Sequence, residues 1–367
     1  MIVGILGGGQ LARMLALAGY PLGLKFVFLD PTADACAFPL GEALHGSYND
    51  KHLLDRLAER ADVVTYEFEN VPTDAVQSLS RRVPVYPSPE ALAFKQDRLR
   101  EKLLFQELGI PTPLFHPVDT LRDLEEAATR LGLPMVLKTR SQGYDGKGQV
   151  VIEQTDDLKS VWEHMDKVPW MAEKYVAFVR EVSAIAVRSR RGETAFYALA
   201  ENIHRHGILH LSRSCPRDPM ASLARQYAER LLTRLDYVGV LALELFQVGD
   251  GLLANEFAPR VHNSGHWTIE GTETSQFENH LRSILGLPLG STAAVGSVAM
   301  VNCIGDLPDP TRLLSLEGVH LHDYGKPTRP GRKVGHVTVR ANDDKSLQAR
   351  LDAVCELLKG SASKCFQ

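Results

Sequence analysis

The sequence predicts an α/β protein: a doubly wound parallel sheet at the N-terminus, then a smaller α+β unit, then a strand-rich remainder. Three observations carry this. Short apolar runs alternate with helical patterns over residues 1 to 94, the order that builds parallel sheets with crossover helices. A Gly-rich stretch at 143–148 stands between two strand patterns rather than ahead of a helix. Two apolar runs, 240–246 and 252–257, flank Gly249-Asp250-Gly251 and read as a β-hairpin.

Taken in order, residues 2–6 form an apolar strand. Gly7-Gly8-Gly9-Gln10-Leu11-Ala12 follows, and Leu11, Leu15 and Ala18 set a helical period. Strands over 25–29, 62–66 and 83–86 end at Asp30, at Glu67-Phe68-Glu69-Asn70 and at Pro87-Ser88-Pro89. A helix over 95–108 places Leu99, Leu103, Leu104 and Leu108 on one face, with Gly109 and Pro111 as its stop. Strand pieces and helices fill 114–175, and strands dominate 176–267. A helix over 275–285, further short strands and a closing helix over 347–358 complete the chain. Arg188-Ser189-Arg190-Arg191-Gly192 reads as a solvated hairpin turn.

At 367 residues the chain is expected to form two or three domains. Its 44% hydrophobic and 23% charged residues are those of a globular protein. A formal net charge of −4 gives no sign of a nucleic-acid or membrane surface. No apolar run reaches the roughly 20 residues that span a bilayer. The first residues enter a strand directly, without the basic start of a signal peptide, so a cytoplasmic location is expected. Cys36, Cys215, Cys303, Cys355 and Cys365 are scattered and odd in number. That fits reduced thiols and argues against a structural zinc site.

The hairpin carries the most chemistry. If Val248 pairs with Leu252, Glu244 faces Glu256 across the ribbon, and like charges there repel. A cation between them would relieve the clash, and two hard oxygen donors suit Mg²⁺. Taken alone the pair reads equally as solvated edge carboxylates. The stretch Gly143-Tyr144-Asp145-Gly146-Lys147-Gly148, between strands at 134–138 and 149–152, suits a loop whose amides wrap phosphate oxygens. Lys138 and Lys95 would neutralise phosphate charge. The extended segment Glu173-Lys174-Tyr175-Val176 can offer backbone groups to an adenine edge, and Glu181 can accept ribose hydroxyls. Arg260, His262 and His266 crowd a polar run after the second glutamate, and Arg260 suits a phosphate or acyl phosphate. Lys326, Arg329, Arg332 and Lys333 form a basic, turn-rich patch. Gly7-x-Gly9-x-x-Ala12 with Asp30 on the next strand also resembles a dinucleotide fingerprint, which keeps a nicotinamide oxidoreductase open as a rival.

Four stretches carry a more specific resemblance: 7–11, 143–149, 255–267 and 329–336. Together they resemble the N5-carboxyaminoimidazole ribonucleotide synthetase family of ATP-grasp ligases, essentially end to end. The resemblance implies a three-domain ATP-grasp architecture: an N-terminal Rossmann-like domain (1–94), an ATP-grasp domain (95–290) with 114–175 as a mobile lid, and a small C-terminal domain (291–367). It also implies ATP, bicarbonate and 5-aminoimidazole ribonucleotide as substrates, Mg²⁺ (or Mn²⁺) at Glu244 and Glu256, and a homodimer. Lys95, Lys138 and the loop Gly143 to Gln149, with Lys147 within it, would hold the ATP phosphates. Glu173, Lys174, Tyr175, Val176, Glu181 and His204 would hold adenosine, with Asn255 and Glu256 completing the nucleotide site. Gly9, Gln10, Leu11, Glu67, Tyr144, Asp145, Arg260, His262, Lys326 and Arg332 would surround the ribonucleotide. Asp145, Arg260 and His262 would act in the reaction itself. A different acceptor on the same ATP-grasp chemistry, and a non-catalytic ATP sensor, are the remaining alternatives.

Overall fold

The computed structural model describes residues 1–141, 143, 148–166 and 168–359. Four parallel strands, β1 (Ile2–Leu6), β2 (Lys25–Asp30), β3 (Glu42–His45) and β4 (Val63–Tyr66), form the first sheet in the order β3-β2-β1-β4. The expected strand at 83–86 contributes only an isolated parallel bridge, Val64 to Val85. A true fourth strand, β3, is more polar than the others, with only Leu44 fully buried, so no apolar run announced it.

The second sheet is antiparallel, in the order β5-β8-β6-β7 for β5 (Phe115–Val118), β6 (Met135–Thr139), β7 (Gln149–Ile152) and β8 (Trp170–Lys174). Lys138 pairs with Gln149, so the Gly-rich stretch joins two adjacent strands. This unit has its own core of Val118, Leu124, Leu137, Ile152 and Trp170. The third sheet is the largest. It comprises β9 (Arg180–Arg188), β10 (Thr194–Phe196), β11 (Leu199–Arg205), β12 (Ile208–Cys215), β13 (Gly239–Val248), β14 (Gly251–Ala258), β15 (Ser297–Ile304), β16 (Val319–Asp323) and β17 (Lys333–Ala341). The order is β14-β13-β9-β11-β12-β15-β17-β16, with β10 beside β9. It therefore runs unbroken into the last segment of the chain.

Two expectations are corrected. The helix over 95–108 is two helices, Pro89–Lys95 and Arg98–Glu107, because Asp97 caps the second by accepting from Leu99 N and Arg100 N. Its buried residues are Glu101, Lys102, Leu104 and Phe105, while Leu103 is 50% exposed. The leucine stripe misplaced the inner face because two charged residues of this helix turn inward. The hairpin loop is also shorter than expected: Val248 pairs with Gly251 around Gly249, which takes a φ of +55°. A bulge between Glu244 and Leu245 gives β14 one extra residue, Asn255, and that extra residue restores the pairing of Glu244 with Glu256.

The first and third sheets share a core in which Ile5, Leu15 and Phe28 meet Ile185, Trp267, Phe277 and Leu281. His280, from the helix Gln276–Leu285, ties them together. Its Nδ1 accepts from Val240 N at 3.1 Å, so its proton is on Nε2, 2.9 Å from Thr65 Oγ1 on β4. Burial pushes this imidazole down to about 3. The unfolded chain therefore binds a proton below pH 6.5 that the folded chain refuses, and stability is lost as pH falls from 6.5. The expected loss is about 1.4 kcal/mol per pH unit from this residue alone. Urea midpoints at pH 7.5 and 5.5 should draw closer together in His280→Gln than in wild type; an equal drop in both would refute the assignment.

Candidate active site

A cleft of about 520 Å³ opens between the second and third sheets. Lys95, Lys138, Gly143, Gln149, Glu173, Lys174, Tyr175, Val176, Glu181, His204, Glu244, Asn255, Glu256, Arg260 and His262 all line it. Most of the residues expected to hold the nucleotide thus converge, although they come from strands far apart in sequence. Phe178 and Phe246 stack at 4.8 Å and add an apolar wall. His204 Nδ1 lies 2.8 Å from Glu181 Oε2 at the same end.

Glu244 and Glu256 are directly paired on β13 and β14. Lys95 Nζ donates to Glu256 Oε2 at 2.5 Å and lies 3.4 Å from Glu101 Oε1. Desolvation works against charge on Glu256, but Lys95 and Arg98 outweigh it and hold that carboxyl well below the usual range. Glu244 has the opposite balance. Burial, then the charge of Glu256, push it up to about 7. Its neighbour is His262, whose Nε2 lies 3.2 Å from Glu244 Oε1. Burial and then Arg260 keep His262 neutral, and its Nδ1 accepts from Ser264 N, which leaves the ring proton on Nε2 facing Glu244.

This donor set fits one hard cation. No group of three or more His, Cys, Asp or Glu donors gathers at one point among the described residues. A metal would take two glutamate carboxylates and complete its shell with phosphate oxygens and water, the habit of Mg²⁺.

Glu173 is 3% exposed and lies between two ammoniums, 2.6 Å from Lys138 Nζ and 2.9 Å from Lys102 Nζ. Its carboxylate is therefore committed to lysines. Lys138 also reaches Asn255 Oδ1 at 3.5 Å. Arg260 is 8% exposed, forms an ion pair with Glu69 through Nε, and donates from Nη1 to Val261 O at 3.1 Å. His266 is fully buried, away from the cleft, and packs on His336 and Phe277.

Beside the cleft, Lys326 Nζ donates to Gln10 Oε1, joining the first loop to the last segment of the chain. Glu67 closes the opening of the helix Gln10–Gly19, accepting from Gly9 N at 2.8 Å and Leu11 N at 3.2 Å. Arg332 donates to Pro327 O at 3.4 Å. Asp30 accepts from Gly8 N and Thr32 N, both at 2.7 Å, and from Tyr48 at 3.1 Å. The acid that a dinucleotide site would offer to ribose is thus consumed by its own loop, and the amides that would meet a pyrophosphate are taken by Glu67. This geometry removes the main support for the oxidoreductase rival.

Residues 1–96 match the ribonucleotide synthetase preATP-grasp domain, 103–277 the ATP-grasp domain, and 298–350 the phosphoribosylaminoimidazole carboxylase C-terminal domain. An N5-carboxyaminoimidazole ribonucleotide synthase of Pseudomonas aeruginosa is 54% identical over 359 residues, covering 98% of this chain and 100% of the relative. The chain belongs to the N5-carboxyaminoimidazole ribonucleotide synthase family. The crystal structure of the synthetase from Thermus thermophilus is similar over 100% of both chains, with a TM-score of 0.95 and 54% identity. A synthase structure from Aspergillus clavatus in complex with ADP and 5-aminoimidazole ribonucleotide has a TM-score of 0.91 at 30% identity, over 98% of each chain.

Within this synthase family member, Tyr144, Asp145, Gly146 and Lys147 lie outside the described residues. Sequence reading gave no site role to Glu69, Arg98, Glu101 and Lys102, which line the cleft, whereas Lys333, which also lines it, was read as part of the basic patch. Glu69 had a signal: it stands two residues after Glu67 at the end of β4, where a parallel strand delivers ligand-facing groups. Glu101 and Lys102 had none, being adjacent charges in a helix whose leucines suggested another face.

Proposed function

We propose that this chain is an ATP-dependent ligase that carboxylates 5-aminoimidazole ribonucleotide with bicarbonate, giving N5-carboxyaminoimidazole ribonucleotide, ADP and phosphate in purine biosynthesis. The observation that carries the reading is the opposed pair Glu244 and Glu256 in a lysine-lined cleft, with Arg260 and His262 immediately beside it. Bicarbonate oxygen attacks the γ-phosphorus, the bond to the β-phosphate oxygen breaks, and carboxyphosphate and ADP form. Lys95 and Lys138 take up the charge that builds on the phosphoryl oxygens. Magnesium held by Glu244 and Glu256 would supply further neutralisation of the triphosphate.

Arg260 presents a fixed guanidinium to the carboxyphosphate, and neutral His262 adds no competing charge beside it. Carboxyphosphate then breaks its carbon–oxygen bond to phosphate, the exocyclic amine attacks the carbon dioxide released, and the departing phosphate takes the amine proton. Tyr175 and Val176 offer backbone groups to adenine, Glu181 with His204 meets the ribose, and Glu173 orients lysines. Gln10, Lys326 and Arg332 face the ribonucleotide phosphate. The reading keeps the division at residues 94 and 290, takes 114–175 as a lid over the nucleotide, and includes a homodimer, all on the family resemblance.

Phosphate release from ATP tests the reaction. It should rise by about 10²-fold or more when 5-aminoimidazole ribonucleotide and bicarbonate are both present. Mg-ATP binding with no release in any mixture would instead indicate a sensor. A pH dependence follows as well. Burial and the charge of Glu256 push the Glu244 carboxyl up to about 7, so Mg²⁺ must displace a proton below that pH. Its affinity should fall by about tenfold per pH unit below 7 and level off above 8. Calorimetric titration with Mg²⁺ would show this slope, and Glu244→Gln should abolish both the slope and most of the binding. A flat profile in wild type would reject the site.

A further inference from the structure

The inward turn of Glu101 and Lys102 is costly unless both charges find partners. Lys102 is 1% exposed. Its ammonium donates to Ala254 O at 3.1 Å and to Asn255 O at 2.6 Å, and lies 2.9 Å from Glu173 Oε1. The two carbonyls belong to the bulge that returns Glu256 to the register of Glu244. Glu101 secures the other flank, accepting from Phe257 N at 2.7 Å. One turn of helix therefore grips β14 on both sides of Glu256.

The carboxylate that Lys102 meets is the same one that holds Lys138. Of the two lysines, Lys138 is the more open to the cleft, its side chain 14% exposed against 2% for Lys102. We propose that Lys102 is a positioning residue for phosphate binding: by compensating Glu173 from beneath, it frees the Lys138 ammonium to turn to the nucleotide phosphates. This inference rests on the ATP-dependent reading above.

The physical argument is one of charge balance. Lys95, Lys102 and Lys138 face Glu101, Glu173 and Glu256. When Lys138 turns to a phosphate, Glu173 keeps Lys102 and stays compensated. Without Lys102, the same movement would strand a buried carboxylate, so Glu173 would hold Lys138 back and the triphosphate would lose its lysine. The electrostatics agree: burial opposes charge on Glu173, and the charges of Lys102 and then Lys138 hold its carboxyl low.

The test is calorimetric binding of a non-hydrolysable ATP analogue with Mg²⁺ to the full chain. Lys102→Met should weaken the analogue by about tenfold or more, the scale of one charge-assisted contact. AMP, which has no β- or γ-phosphate, should bind Lys102→Met within about twofold of wild type. Binding of the ATP analogue by Lys102→Met within twofold of wild type would overturn the proposal, as would an equal loss for AMP. A second comparison stands even if that variant does not fold. Because Lys102 acts through Glu173, the double variant Lys102→Met/Glu173→Gln should bind the analogue within about twofold of Glu173→Gln alone. A tenfold gap between those two would show that Lys102 acts by another route and overturn the proposal. Failure of the wild-type chain to bind the analogue at all would instead remove the ATP-dependent reading.

Discussion

Replacing Glu256 by glutamine should lower ATP turnover in the presence of 5-aminoimidazole ribonucleotide and bicarbonate by about 10³-fold, the scale seen when a charge-stabilising group is removed from a transition state. The substitution conserves shape, and the ammonium it deprives, Lys95, retains Glu101 at 3.4 Å. The hairpin register depends on the bulge at Asn255 and on the carbonyls that Lys102 holds, neither of which uses the Glu256 carboxylate. The fold should therefore survive, with a thermal midpoint near that of wild type. Glu244 loses the like charge that adds to its raised pKa, leaving burial as the main cause. The Glu244 carboxyl should accordingly ionise more readily than in wild type, but with one hard donor fewer at the site raising Mg²⁺ should recover only part of the rate. Steady-state ADP release at several Mg²⁺ concentrations measures this. Wild-type turnover in Glu256→Gln would end the metal assignment.

What sequence could and could not reveal follows from where each signal resides. Strands β1, β2 and β4 are buried on both faces and read as continuous apolar runs, so the first sheet was visible. β3 escaped because it is only four residues long and Glu42 and His45 flank its two apolar residues, Ala43 and Leu44. The facing of Glu244 and Glu256 was found through a loop one residue too long, and the bulge at Asn255 compensated for the difference. A bulge has no compositional mark here, so agreement came from two errors in register that cancelled. Lys138 was legible because it lies near the end of the strand that leads into the Gly-rich stretch, and Lys95 because the family resemblance pointed to it. Lys102 was not, because its partners are backbone carbonyls more than a hundred residues away. Periodicity reports which face is apolar; it cannot report a charged face that is buried because long-range partners satisfy it. The fate of Asp30 and Glu67 was hidden for the same reason, since both spend their oxygens on a glycine loop that looked ready for a dinucleotide.

Arg260→Met should separate stability from catalysis. Arg260 and Glu69 form an ion pair with side chains 10% and 12% exposed, and removing one member of such a pair costs about 3–5 kcal/mol because the other is left buried and charged. In wild type, burial opposes the charge on Glu69, but Arg260 holds its carboxyl below the usual range. Its contribution to stability is therefore present above the unfolded carboxylate value and lost only in acid. Without Arg260 the balance reverses: burial raises the Glu69 carboxyl, and the variant loses stability as pH rises through that raised value. It should be least stable near pH 8 and recover toward pH 5. Glu69→Gln placed on top of Arg260→Met removes the stranded charge and should restore the urea midpoint at pH 8. It should not restore carboxylation, which stays about 10²-fold or more below wild type because no guanidinium meets the acyl phosphate. Mg-ATP binding, which depends on the lysines, should persist in the double variant. If the double variant carboxylates 5-aminoimidazole ribonucleotide at the wild-type rate, Arg260 is a structural counter-ion to Glu69 and its place in the reaction is withdrawn.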